Sequence, residues 1–188
     1  MPKSNHSVRL TVFALCRIAV MAALYIPLAK MAIEIGTLKL SFGSLPVTVL
    51  AMLTGPWEAA AAAAIGELIK QLLGYGLTLT TLLWVIPPVL RGLIIGLAAQ
   101  RLLRRGQLPE QRPLWCYTAG VAAALVTTIA NTFVLWADSV IFRYYFPGYI
   151  TGNLAIRLVT GVIIAVLVAT ISIPVVQRLR QQGLGRRI

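Results

Sequence analysis

The stretch LAIRLVTGVIIAVLVATISIPVV, residues 154–176, decides the fold class. It holds one charged residue, Arg157, and is long enough for a helix to cross the hydrocarbon core, which takes roughly 20 mainly apolar residues. Comparable runs lie outward from it at 10–31, 81–103 and 114–137. Two less regular runs complete the set. Residues 57–73 include six consecutive alanines (59–64), which suit close helix contact, and residues 42–54 form a short or tilted segment stopped by Gly55-Pro56. The expected architecture is all-α and integral to the membrane. It has six transmembrane helices in one bundle, a single membrane domain over residues 1–188, and no soluble domain or linker. Pro27, Pro87, Pro88 and Pro174 are expected near helix ends, where a missing N–H is easiest to tolerate.

Composition agrees. Of 188 residues, 59% are hydrophobic and 12% charged, and the mean hydropathy is +0.84. A soluble domain carries about 25% charged residues, so this chain has too little polar side chain to cover a water-facing surface. The formal charge of +12 would point to nucleic acid in a soluble protein. Beside long apolar runs it points instead to topology, and no nucleic-acid partner is expected. Lys3 and Arg9 precede the first run; Arg101, Arg104, Arg105 and Arg112 separate the fourth from the fifth; Arg178, Arg180, Arg186 and Arg187 follow the last. Six spans put all three clusters on one side, which the positive-inside rule makes cytoplasmic. They would also touch anionic membrane lipids. The run after Arg9 is broken by Arg17 and is too long for a signal peptide's core.

Several polar residues remain that topology does not explain. Glu34 and Lys39 lie in the first outer loop; Glu67, Lys70, Arg91, Asn131 and Trp136 lie in the outer half of the third to fifth spans. Asp138, Arg143, Tyr144 and Tyr145 follow in the longest outer loop, and Asn153 and Arg157 open the sixth span. Ionisable groups at membrane depth cost a few kcal/mol each and usually face a bundle interior or wet cavity. Plainer roles stand beside that one. Glu67 and Lys70 are three apart and can pair on one helix; Arg17, Lys30 and Arg157 can snorkel; Trp84, Trp136, Tyr144 and Tyr145 can form an interfacial belt. Arg91 is the hardest to dismiss, because two prolines precede it within its run. Together these residues form an outward-facing cluster in which bases outnumber acids, suited to an anionic ligand with a planar ring.

No catalytic residues are expected: the sequence has no HExxH, GxSxG or P-loop and no close carboxylate pair. Cys16 and Cys116 read as apolar fillers, and His6 is the one histidine, so neither a metal site nor a cofactor is expected. Ala19 and Ala23, and Gly92 and Gly96, form small-xxx-small spacings that let helices approach closely. Either pair can serve internal packing, and the first can dock another membrane subunit.

The segment LKLSFGSLPVTVLAMLTGPW, residues 38–57, resembles the "RISFGFxPIxLAGxLFGPxWG" signature of S components, the substrate-binding subunits of energy-coupling factor (ECF) vitamin transporters, most closely the folate-type subfamily. The resemblance extends to Ala19 and Ala23, to Gly92-Leu-Ile-Ile-Gly96 and to Arg157-Leu158. Glu58 follows Trp57 where the signature has Gly, and Val159-Thr160-Gly161 replaces the usual pattern after the last-helix arginine.

The resemblance implies a membrane subunit that captures a vitamin from outside and delivers it with a membrane coupling subunit and two cytosolic ATPases. Ala19 and Ala23 would meet the coupling subunit. Folate or a related planar anionic vitamin is the expected ligand, in the plasma membrane of a prokaryote. Arg91 and Arg157 would contact carboxylates and Asn131 and Asn153 the ring edges. Trp84, Trp136 and Tyr144 would stack, Phe42 and Ser44 would lie in the gating loop, and Glu67 and Lys70 would complete the pocket. Alternatives are an S component for pantothenate, riboflavin or a queuosine precursor, a structural subunit of a membrane complex, and a small ion-coupled transporter.

Overall fold

The computed structural model of the chain describes residues 12–31, 33–35, 38–143 and 154–183. They form six α-helices, a two-stranded ribbon and a short 3-10 turn. In chain order these are α1 (Val12–Lys30), β1 (Ile33–Ile35), β2 (Leu38–Leu40), α2 (Ser44–Thr54), α3 (Pro56–Tyr75), α4 (Thr81–Arg104), the turn Pro109–Gln111, α5 (Pro113–Ile141) and α6 (Leu154–Gln181). Four helices, α1, α4, α5 and α6, are long and apolar enough to cross a membrane. The 20 residues of α3 span about 30 Å at 1.5 Å per residue, but the helix carries Glu58, Glu67 and Lys70. With 11 residues, α2 reaches only about 16 Å, half the hydrocarbon thickness.

That short helix is the centre of the bundle. Every residue of α2 from Pro46 to Leu53 is buried, and α1, α3, α4 and α6 pack around it. Around this axis α3 adjoins α1 and α4, and α5 adjoins α4 and α6. An all-round apolar helix can lie in lipid or inside protein; α2, too short to cross the hydrocarbon by itself, is carried inside the bundle. Its exit is sharp. Gly55 has φ 107°, a conformation open to glycine and costly for side chains, and Pro56 starts α3 at a position where its missing N–H costs nothing.

The Gly92–Gly96 spacing serves internal packing. A Cβ on Gly96 would sit 2.4 Å from the Pro56 Cα, and one on Gly92 3.0 Å from the Ala59 carbonyl carbon. These glycines let α4 lie directly on the first turns of α3. Ala19 and Ala23 are exposed on α1.

The helices depart from the sequence expectation at several points. Pro87 and Pro88 lie inside α4 and Pro174 inside α6; packed membrane helices tolerate such breaks because neighbouring groups satisfy the freed carbonyls. The last two helices run to Ile141 and Gln181, past 137 and 176, because hydropathy measures apolar length while the helix continues into polar turns. Asp138 therefore belongs to the last turn of α5, not to a loop. Residues 33–35 and 38–40 pair antiparallel, with Ile33 opposite Leu40, where only a loop was expected. The β2 strand lies beside α6.

Candidate functional site

Between α2, α4, α5 and α6 runs a narrow crevice whose free interior holds about one or two water molecules. Its polar lining comes from Ser44 and Thr48 on α2 and Arg91 on α4; Met52, Ile95, Trp115 and Val168 make much of the rest.

Arg91 reaches α5, where its Nη2 donates to Thr127 Oγ1 at 2.9 Å. The Thr127 hydroxyl donates its own proton to the Ala124 carbonyl at 3.1 Å. No carboxylate among the described residues forms an ion pair with Arg91. The Ser44 hydroxyl oxygen is buried and has no hydrogen-bond partner among the described residues. Thr48 donates to the Ser44 carbonyl at 2.8 Å. A cation and an unanswered hydroxyl thus share one lining. A cation held at membrane depth costs about 2.5–3.5 kcal/mol on insertion scales, a cost that a bound oxygen acceptor would offset.

The acids with described side chains are engaged elsewhere. Glu58 accepts from Arg17 Nε at 3.1 Å and Nη2 at 3.0 Å, joining α1 to α3. The residue that departs from the family signature therefore answers the arginine that interrupts α1. Glu67, 3% exposed, accepts from Tyr25 Oη at 2.6 Å, Lys70 Nζ at 2.7 Å and Gln71 Nε2 at 2.7 Å. Glu110 pairs with Arg180 Nε at 2.6 Å, and Arg180 Nη2 donates to the Met52 carbonyl at the end of α2 at 3.1 Å. Asp138 accepts a short hydrogen bond from Thr80.

The outer cluster expected from sequence is therefore distributed. Arg91 and Ser44 line the crevice together. Glu67 and Lys70 sit at the α1–α3 seam, engaged with each other. Trp84 is partly buried in the first turn of α4, Phe42 partly buried in the bend before α2, and Arg157 partly buried in the first turn of α6. Asn131 is exposed on α5, as is Trp136, whose ring lies 5.6 Å from that of Phe133. Tyr144 and Asn153 fall outside the described residues, as do the side chains of Glu34 and Lys39. Thr127, Thr48 and Trp115 were not singled out from sequence. Hydroxyls in apolar runs usually bond their own helix carbonyls, and nothing in one sequence says which of them also meets a neighbouring arginine.

A family model described as ECF-type riboflavin transporter, S component, matches residues 9–178. The chain belongs to this family. It is thus a substrate-binding subunit of an ECF transporter, within a family of transporter subunits rather than enzymes, and a multi-pass membrane protein. No curated protein matches this S component. Among solved structures it is similar to ThiT from Listeria monocytogenes, with a TM-score of 0.60 and 22% identity, over 85% of this chain and 94% of that one. At that identity the likeness shows a shared fold. The matching family is the riboflavin one, and the folate-type subfamily suggested by the sequence signature receives no support from either comparison.

Proposed function

We propose that this S component captures riboflavin, or a flavin-like planar vitamin, from outside the cell, and delivers it with a membrane coupling subunit and two cytosolic ATPases. The observation that carries the ligand is the riboflavin-family match over residues 9–178. Arg91, a cation inside the bundle with no ion-paired carboxylate among the described residues, supports a ligand with an oxygen-rich edge. In this reading all six helices belong to the membrane domain. The short α2 is carried inside the bundle, and the three arginine-rich ends are cytoplasmic in a prokaryotic plasma membrane. Ala19 and Ala23, exposed on α1, form the face for the coupling subunit. Arg91 and Ser44 contact the ligand, with Phe42, Trp84 and Arg157 toward the outer mouth. Glu67 and Lys70 hold α1 to α3.

Titrating the detergent-purified subunit with riboflavin and with folate tests the reading. Quenching of flavin fluorescence, with folate inactive at the same concentration, is the expected result. Binding of folate without riboflavin would return the assignment to the folate-type subfamily.

A further inference from the structure

We infer that the turn between α3 and α4 is an anchor seated at the headgroup–acyl boundary of the outer leaflet, where Leu77 and Leu79 contact phospholipid. With Trp57 at the opposite boundary it sets the depth of the bundle in the bilayer. The inference rests on the proposed orientation, with the arginine-rich ends cytoplasmic and the Tyr75 end of α3 outward, and adds a lipid surface to it.

The turn is apolar outside and polar inside. Residues 76–80 read Gly-Leu-Thr-Leu-Thr. Leu77 and Leu79 are 87% and 86% exposed, whereas Thr80 is buried. The hydroxyls turn to protein: Thr78 Oγ1 lies 2.9 Å from Thr81 Oγ1, and Thr80 donates to Asp138 at the end of α5. In water this arrangement would hydrate two leucines and hide the hydroxyls, the unfavourable way round; beside lipid it is the favourable one. The backbone also answers part of its own demand. Gly76, at φ 73°, donates its N–H to the Leu72 carbonyl at 3.2 Å, and Thr81 N–H donates to the Thr78 carbonyl at 3.1 Å. Thr78 N–H donates to Thr81 Oγ1 at 2.9 Å. Groups paired in this way need no water, as a segment close to hydrocarbon requires.

The length of α3 places the turn. Trp57 and Tyr75 are exposed at its two ends, and the rise from one to the other is about 27 Å at 1.5 Å per residue, against roughly 30 Å of hydrocarbon. Exposed aromatic side chains that bracket such a length mark the two membrane interfaces. Between them Ile65, Ile69, Leu72 and Leu73 are exposed, at the three- and four-residue spacing of one apolar helix face. The charges of α3 are answered by protein: Glu58 pairs with Arg17, and Glu67 with Lys70 and Tyr25. No charged residue lies between Lys70 and Arg91, so nothing in the turn draws it away from lipid. An α3 of this length reaches the outer boundary at Tyr75, and the turn follows there.

Spin labels in liposomes of phosphatidylethanolamine and phosphatidylglycerol test the contact. The full chain with Cys16→Ser receives Leu77→Cys, Leu79→Cys or, as a water reference, Gln111→Cys in the exposed part of the 3-10 turn; buried Cys116 stays, and Cys16→Ser alone gives the background. Oxygen concentrates in hydrocarbon while a nickel chelate stays in water, so the ratio of their collision rates is expected to be at least about fivefold higher at 77 and 79 than at 111. A ratio within twofold of the 111 label would overturn the anchor. Low collision with both reagents would overturn it too, because protein would then cover the turn. The double variant Leu77→Ser, Leu79→Ser is expected to keep riboflavin affinity within twofold; a larger loss would make the turn a lid over the ligand and overturn the anchor. Orientation is read separately, from an impermeant maleimide on Arg112→Cys in right-side-out vesicles. Reaction only after permeabilisation is expected, and reaction without it would overturn the orientation and with it the outer-leaflet assignment. A parent that binds no riboflavin ends the flavin reading alone, and the label ratios still decide the anchor.

Discussion

Glu67 gives the sharpest test of how α1 is held to the bundle. Replacing it with alanine removes the acceptor shared by Tyr25, Lys70 and Gln71. Tyr25 and Gln71 are each 7% exposed, so their donors are stranded, and a hydrogen bond to a charged acceptor is worth about 1.5–3 kcal/mol. The Lys70 side chain is 27% exposed and can turn outward, so its share is about 0–1 kcal/mol. Relief of the carboxylate's own desolvation offsets part of the loss. The net expectation is destabilisation by about 3 kcal/mol, a fall in Tm of about 6–12 °C for a chain of this size. Tyr25→Phe should cost about half as much, and Lys70→Met less than Tyr25→Phe. Thermal unfolding in detergent, followed by tryptophan fluorescence, measures all three. Glu67→Gln, which keeps an acceptor, should retain riboflavin affinity within about threefold. A Glu67→Ala melting temperature within about 2 °C of the parent would refute the packing argument. A large loss of affinity in a well-folded Glu67→Gln would return Glu67 to the ligand site.

Three further outcomes follow from the packing. Gly96→Ala should destabilise by about 1–3 kcal/mol, because its Cβ would meet the Pro56 backbone; Gly92→Ala should cost less, and melting curves rank the two. Glu110→Ala should cost about 1.5–3 kcal/mol, because Arg180, its side chain 15% exposed, keeps the Met52 carbonyl but loses this carboxylate, seen as a lower Tm and reduced expression. Arg17→Ala and Glu58→Ala should each cost only about 1 kcal/mol, since their side chains are 31% and 21% exposed, and a double-mutant cycle should return a coupling of that size.

Much of the helical architecture was legible because its causes are local. Apolar length identifies α1, α4, α5 and α6, and Gly55-Pro56 marks the junction of α2 and α3 with residues whose backbone preferences allow little else. The ends of α5 and α6 were less legible, since a helix can outlast its apolar stretch. The ribbon at 33–40 was missed because its strands have three residues each, too few for an alternation to stand out from a loop.

The candidate site divides in the same way. Arg91 was conspicuous in the sequence as a charge in the wrong place, and its isolation from acids persists among the described residues. Glu67 and Lys70 looked equally anomalous by depth, yet they engage each other and Tyr25, a partner 42 positions away. Sequence by itself determined that the chain lives in a membrane, where its helices run, and which charges need an explanation, because these follow from composition and apolar length. Only tertiary structure decided which of those charges are already answered. An ion pair or a shared carboxylate depends on which helix faces are neighbours, and that is fixed by packing: glycines that let α4 lie on α3, and a short α2 enclosed at the centre.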